Sequence, residues 1–152
     1  MTMFASSDPH RRGYEFQTLL RDLFALYDLE PTGSFAIPGQ QTDGAIKLDG
    51  TVMLIEARWK NDLTPPGEVR EFRTKVHEKL DGTLGLFVSM SGFGEEAVNA
   101  ATGGGSRMVV ILADGADLAP VFSGNDDLVE VLRRKHRFAS ERGIALHRPG
   151  QG

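Results

Sequence analysis

The chain has 152 residues, 40% hydrophobic and 25% charged, which is the size and balance of one globular domain and leaves no room for a second core. Seventeen Lys and Arg against 21 Asp and Glu give a net charge of −4, so contact with a phosphate backbone has to be local rather than a property of the whole surface. The absence of cysteine excludes disulfides, thiolate metal sites and a cysteine nucleophile. No apolar run approaches the roughly 20 residues that span a bilayer. A cytoplasmic protein without membrane contact is expected.

Residues 1–12 are polar and read as a flexible tail, followed by one domain over 13–146 and a second tail over 147–152. From Gly13 to Tyr27, Phe16, Leu19, Leu20, Leu23, Phe24, Leu26 and Tyr27 fall on one arc at helical rotation, which predicts an amphipathic helix. Phe35–Ile37, ended by Pro38-Gly39, reads as a short strand. Thr42–Leu48 and Thr51–Trp59 read as two strands joined by Asp49-Gly50, a strong hairpin signal. Pro65-Pro66 opens a helix that carries Val69, Phe72, Val76 and Leu80 until Asp81-Gly82. Leu84–Ser89 is a strand, Gly92–Thr102 a short helix, Met108–Ala113 a buried strand, Asn125–Arg142 a long helix and Ile144–Leu146 an edge strand. The order predicts an α/β fold, a mixed sheet with helices on both faces.

The hairpin carries the chemistry. With a two-residue turn, Leu48 faces Thr51 and Asp43 lies directly across from Glu56. Opposed carboxylates with Cβ atoms about 5 Å apart repel, and a divalent cation between them removes the conflict. Strand alternation adds Gln41, Arg58 and Lys60 to that face, while Met53, Ile55, Ala57 and Trp59 form an apolar face for a helix. Oxygen ligands beside a positive charge suit Mg²⁺ and a phosphate. Glu15, at the border of the first helix's apolar arc, is a third acid; Asp22 shares that border at a greater distance. Each residue also has a plainer role: Asp43 as a turn residue, Glu56 in a strand-end ion pair, Glu15 as a favourable charge near a helix N-terminus, and Arg58 and Lys60 as solvated charges. Two basic groups, Arg70, Arg73, Lys75 and Lys79 on the second helix and 133–137 on the last, are solvated faces or a track for a nucleic-acid backbone. The Gly-rich tract 103–105 lacks the Lys and helix of a phosphate loop, and no serine elbow or histidine ligand spacing occurs.

These pieces in this order resemble the PD-(D/E)xK nuclease superfamily, and within it the Mrr-like restriction endonucleases. The resemblance rests on Gly13-Tyr14-Glu15-Phe16, Gln41-Thr42-Asp43-Gly44, Leu54-Ile55-Glu56-Ala57-Arg58-Trp59-Lys60, and Gly85 to Phe93 followed by Glu95-Glu96-Ala97. It implies the restriction endonuclease-like fold with an αβββαβ core and Mg²⁺-dependent hydrolysis of DNA phosphodiesters, with Mn²⁺ as a substitute. Asp43 and Glu56 then hold the metal and Glu15 supports it; in such a nuclease Gln41, opposed to Arg58, is either a polar loop residue or a contact to metal-bound water or DNA, and Arg70, Arg73 and Lys75 are candidate contacts along the DNA backbone. Restriction, antiviral defence or DNA processing is the implied setting. Cutting both strands requires a homodimer or a separate recognition or activating protein.

The chain departs from the family pattern where Lys is expected, two residues after the Glu. Arg58 stands there and, being permanently protonated, can orient phosphate but cannot act as a base. Lys60 can supply an ammonium from two residues further on. The competing expectation is a catalytically degenerate nuclease fold that binds DNA or a partner without cutting.

Overall fold

The computed structural model describes residues 9–35, 44–103 and 107–147. Helix α1 spans Pro9–Leu26, and after a 3₁₀ turn at Gly33–Phe35 the antiparallel strands β1 (Ala45–Leu48) and β2 (Thr51–Arg58) form the expected hairpin. Asp49 and Gly50 both have positive φ, +50° and +84°, as a twist-matched two-residue hairpin turn requires. The register is the predicted one, with Leu48 opposite Thr51 and Ala45 opposite Leu54. It extends to Gly44, whose carbonyl accepts from Ile55 N at 2.9 Å. Helix α2 (Pro66–His77) leads to β3 (Leu84–Ser89), and α3 (Glu95–Thr102) to β4 (Val110–Asp114). Both β3 and β4 add in parallel, giving a mixed sheet in the order β1-β2-β3-β4 among the described residues. Helices α4 (Gly115–Phe122) and α5 (Leu128–Arg142) follow.

Alternation along the strands divides the core into two layers. Met53, Ile55, Leu86, Val88, Ile111 and Ala113 face Phe16, Leu20 and Phe24 of α1 together with α4 and α5. Leu54, Phe87, Val110 and Leu112 face Val69, Phe72 and Val76 of α2 and Ala97 and Ala101 of α3. This is the expected α/β architecture. No helix among the described residues is long and apolar enough to cross a membrane.

Several boundaries differ from the sequence expectation. Helix α1 begins at Pro9, so residues 9–12 belong to it rather than to a tail. Proline suits a first helical turn, and Arg12 is anchored by Asn61 Oδ1 at 2.7 Å and by the Trp59 ring. Leu26 and Leu80 are exposed, since α1 ends at the former and α2 stops at His77, before the latter. Phe35 belongs to a 3₁₀ turn rather than a strand; positions 36 and 37 lie outside the described residues, as do Thr42 and Asp43. Ile144–Leu146 forms no strand, although Ala145 O accepts from Leu112 N at 2.9 Å. His147 is buried against Phe138, their rings stacked 3.7 Å apart, so the domain extends through it. Helix α4 was not expected. Its eight residues are almost wholly apolar and contain Pro120, so no polar face marks them, and they are nucleated by reciprocal capping between Asp114 and Asp117.

Candidate active site

The C-terminal half of β2 runs between the two layers and sends Glu56 and Arg58 to the α2 side and Ala57 to the α1 side. Trp59 also packs on the α1 layer, edge-on to Phe16 at 5.6 Å between ring centres. The apolar and polar faces expected for this strand are therefore real.

Glu56 is only partly buried and opens into a cleft of about 500 Å³ lined also by Glu68, Glu71, Phe72, Thr74, Lys75 and Phe87. Lys75 Nζ lies 4.0 Å from Glu56 Oε2. Helix α2 presents these polar groups because its phase is fixed by the fully buried Val69, Phe72 and Val76 on β3 and α3. Phe72 and Val76 come so close to β3 that a Cβ on Gly85 would lie 2.7 Å from each of their side chains. Glycine at this position sets the distance between helix and sheet, and with it the width of the cleft.

Arg58 has a different environment. Its side chain is 6% exposed, and Nη1 donates to Asp62 O at 2.9 Å and Thr64 Oγ1 at 3.2 Å. Nη2 donates to Asp62 Oδ1 at 3.3 Å, and Nε lies 3.0 Å from Glu68 Oε1. Thr64 in turn donates to Ser89 Oγ at 2.8 Å. The planar guanidinium thus ties the end of β2, the 59–65 loop, the first turn of α2 and the end of β3 together. It is a structural cation rather than one free to meet a phosphate.

The remaining candidates are dispersed. Lys60 is exposed and does not line the cleft. Glu15 sits on α1, in the layer opposite α2; its Oε1 accepts from Arg11 Nε at 3.1 Å, while Oε2 is buried without a hydrogen-bond partner. Asp22 is exposed beside Arg21. Arg70 is exposed, whereas Arg73 Nη1 donates to Ala100 O of α3 at 3.3 Å and so links two helices. Asp43 and Gln41 lie outside the described residues. Glu68 and Glu71 were not among the candidates. The three-residue step from Glu68 to Glu71 and the four-residue step to Lys75 place all three beside the buried stripe of α2, which is the signal that finds them.

The oxygen donor of Glu56 suits a hard cation, and the unpartnered Oε2 of Glu15 is a second available carboxylate oxygen. Among the described residues no group of three or more acidic or histidine side chains is placed to hold a metal ion.

The family model Mrr_cat, described as restriction endonuclease, matches residues 11–122, from the first turn of α1 through α4. The chain belongs to the Mrr_cat restriction endonuclease family. The match contains Glu15, Asp43, Glu56 and the whole of α2, with Arg58 where the Mrr-like pattern resembled above has lysine. Among solved structures, the MspJI restriction endonuclease in complex with a 27-mer oligonucleotide is similar at 18% identity and a TM-score of 0.47, over 90% of this chain and 34% of that one. The chain thus spans about a third of that protein's length. No curated protein matches it.

Proposed function

We propose that this Mrr_cat domain is a divalent-metal-dependent endonuclease that hydrolyses DNA phosphodiesters, acting in restriction, defence or DNA processing. The observation that carries this reading is the half-exposed carboxylate of Glu56, on the motif strand of a restriction endonuclease family domain, lining a cleft beside Lys75. The hairpin register, followed as far as Gly44 and Ile55, supports pairing the preceding residue, Asp43, with Glu56 as the metal-holding carboxylates. Glu15 is the supporting acid. When bound, Mg²⁺ or Mn²⁺ neutralises phosphate charge and acidifies water. The chain's own part is to hold the substrate in line: Arg58 fixes the strand end and α2 as one unit, and Arg70 and Gln41 contact the DNA backbone. One such site cuts one strand, so double-strand cleavage uses a symmetric pair of domains or a partner that delivers the target.

A second reading, a nuclease fold that binds DNA without cutting, is favoured by the burial of Arg58 in its own network, which leaves no free cation at the motif position.

Supercoiled, linear and single-stranded DNA incubated with Mg²⁺, Mn²⁺ or EDTA separates the two readings. Metal-dependent cleavage that Asp43→Ala and Glu56→Ala both abolish is expected. DNA binding that persists in these variants, with no cleavage by the native protein under any metal, would favour the binding module instead.

A further inference from the structure

A second cavity, of about 510 Å³, lies at the opposite end of the sheet from the Glu56 cleft. Thr51 lines it, and five residues further along β2 Glu56 lines the cleft, so the two sites face opposite sides of the sheet and stand about 16 Å apart along the strand. The cavity opens where β3 and β4 begin, beside the C-terminal half of α5. Burial of Leu128, Val131 and Leu132 fixes the phase of α5, and His136, Ala139 and Ser140, at three- and four-residue steps, share the side that lines the cavity. Buried Ile111 and half-buried Leu84, Met108 and Ala139 supply apolar surface. The polar lining is Arg107, His136, Thr51 and Ser140, each of which can donate a hydrogen bond. Among the described residues no carboxylate lines this cavity, although the chain is acidic overall, whereas the Glu56 cleft carries three glutamates.

The basic run of α5 is largely paired within the chain. Arg133 is held by both carboxylate oxygens of Asp49, at 2.9 and 3.0 Å, and by Glu130 at 2.8 Å. Arg137 pairs with Glu141, and Lys135 is buried on Asp117. His136 feels Asp49, whose charge Arg133 already meets. The side chain of Arg107 is exposed and has no ion pair among the described residues. One guanidinium and a few short donors over an apolar surface match a single acidic group on an apolar body better than the repeated charges of a nucleic-acid backbone.

We propose that this cavity binds a small organic anion, at a site separate from the nuclease cleft. Arg107 receives the acidic head through paired N–H groups, and the imidazole of His136 donates a further N–H in either protonation state. The body, about the size of two fused rings, rests on Leu84, Met108, Ile111 and Ala139. The volume falls within the roughly 300–1,000 Å³ of small-molecule sites. Binding here does not depend on whether the domain cuts DNA.

The test titrates the full chain with 1-naphthoate by two-dimensional ¹H–¹⁵N NMR and with 8-anilinonaphthalene-1-sulfonate by fluorescence. Amides of Thr51 and of residues 82–84, 107–111 and 136–140 are expected to shift in a saturable way, while Glu56 and residues 68–75 stay in place. Arg107→Ala is expected to weaken the fluorescent probe by about tenfold or more and His136→Ala by about threefold or more, with Arg107→Lys recovering part of the loss. Ala139→Leu, which narrows the cavity and leaves every donor present, weakens it by about tenfold. Thermal melts confirm that each variant is folded, and the exposed position of Arg107 makes its variants the secure ones. In competition, 1-naphthoate and 1-naphthyl phosphate displace the probe, the tighter of the two identifying the acidic head. Uncharged 1-naphthalenemethanol and inorganic phosphate, which lack the head and the body respectively, do not. Equal displacement by 1-naphthalenemethanol would overturn the site, and so would native affinity in folded Arg107→Ala and His136→Ala. Shifts centred on the Glu56 cleft or scattered over the surface would overturn it too, as would no saturable shift up to about 1 mM 1-naphthoate. Displacement of the probe by a short DNA duplex, with shifts along residues 133–137, would identify a nucleic-acid surface in its place.

Discussion

Replacing Gly85 by alanine tests whether the spacing between α2 and the sheet controls the site. The added Cβ would lie 2.7 Å from Phe72 Cε2 and from Val76 Cγ2, whereas ordinary contacts begin at 3.4 Å. Relief therefore demands a movement of about 0.7 Å, and neither side chain can yield it alone. Phe72 is held edge-on to Phe87 at 5.6 Å, and Val76 is β-branched on a helix with one favoured rotamer. The helix has to move outward as a body, carrying Lys75 away from Glu56. Overpacking of this kind costs about 1–3 kcal/mol, which for a domain of this size lowers Tm by about 2–12 °C. A displacement approaching 1 Å in the wall of a reacting site can cost up to about 100-fold in rate, so on the nuclease reading of the Glu56 cleft cleavage is expected to fall by at least about tenfold while the protein stays folded. Urea unfolding with single-turnover cleavage measures both effects. Val76→Ala introduced beside Gly85→Ala makes space for the new methyl and is expected to return part of each. A Gly85→Ala protein of native stability and rate would refute the packing argument and the link between helix seating and activity.

Arg58→Lys restores the family residue on paper, yet it is expected to lower stability by about 1–3 kcal/mol in chemical denaturation and not to raise cleavage, because an ammonium cannot span Asp62, Thr64 and Glu68 together; a faster enzyme would contradict this. Lys135 and Asp117 form an almost fully buried ion pair at 2.8 Å, with Lys135 also donating to His147 O at 2.9 Å. Lys135→Met should therefore cost about 3–5 kcal/mol by leaving the carboxylate alone, and adding Asp117→Asn, whose amide oxygen still accepts from Asp114 N, should recover most of it in a urea titration. Burial, with the nearby Lys135 charge, holds the His147 imidazole below its usual value, so the unfolded chain takes up the proton first as pH falls. The associated stability is complete above about pH 6.5 and is lost as pH drops through the folded-state value. Thermal melts between pH 8 and 5 should show that decline, and His147→Phe, which keeps a ring stacked on Phe138, should flatten it.

Local chemistry in the sequence was sufficient for the hairpin. Asp49-Gly50 admits positive φ at both positions, so the turn fixes the register, and the register fixes which side of β2 carries Glu56 and Arg58 and which carries Met53, Ile55 and Ala57. The spacing of Val69, Phe72 and Val76 likewise set the phase of α2. Helix α4 was illegible because its exposed positions, Ala116, Ala119 and Phe122, are as apolar as its buried ones, so the short segment lacks amphipathic contrast, and Phe35 shows no sign in the sequence of the 3₁₀ turn it joins.

The candidate site divides in the same way. Residue type and strand alternation identified Glu56 and the face it occupies. They could not distinguish Arg58, Lys60 and Lys75, three cations with the same formal charge, since what separates them is distance and burial. Arg58 is enclosed by an acid from α2 and a loop carbonyl, and Lys60 stays in solvent. Lys75, far along the chain from Glu56, is brought within 4.0 Å of it only when α2 seats on Gly85. Sequence determined the elements and their faces because backbone preference and side-chain periodicity are local. Tertiary structure decided which charge lies beside Glu56, because charge pairing and desolvation depend on groups that the fold, and not the chain order, makes neighbours.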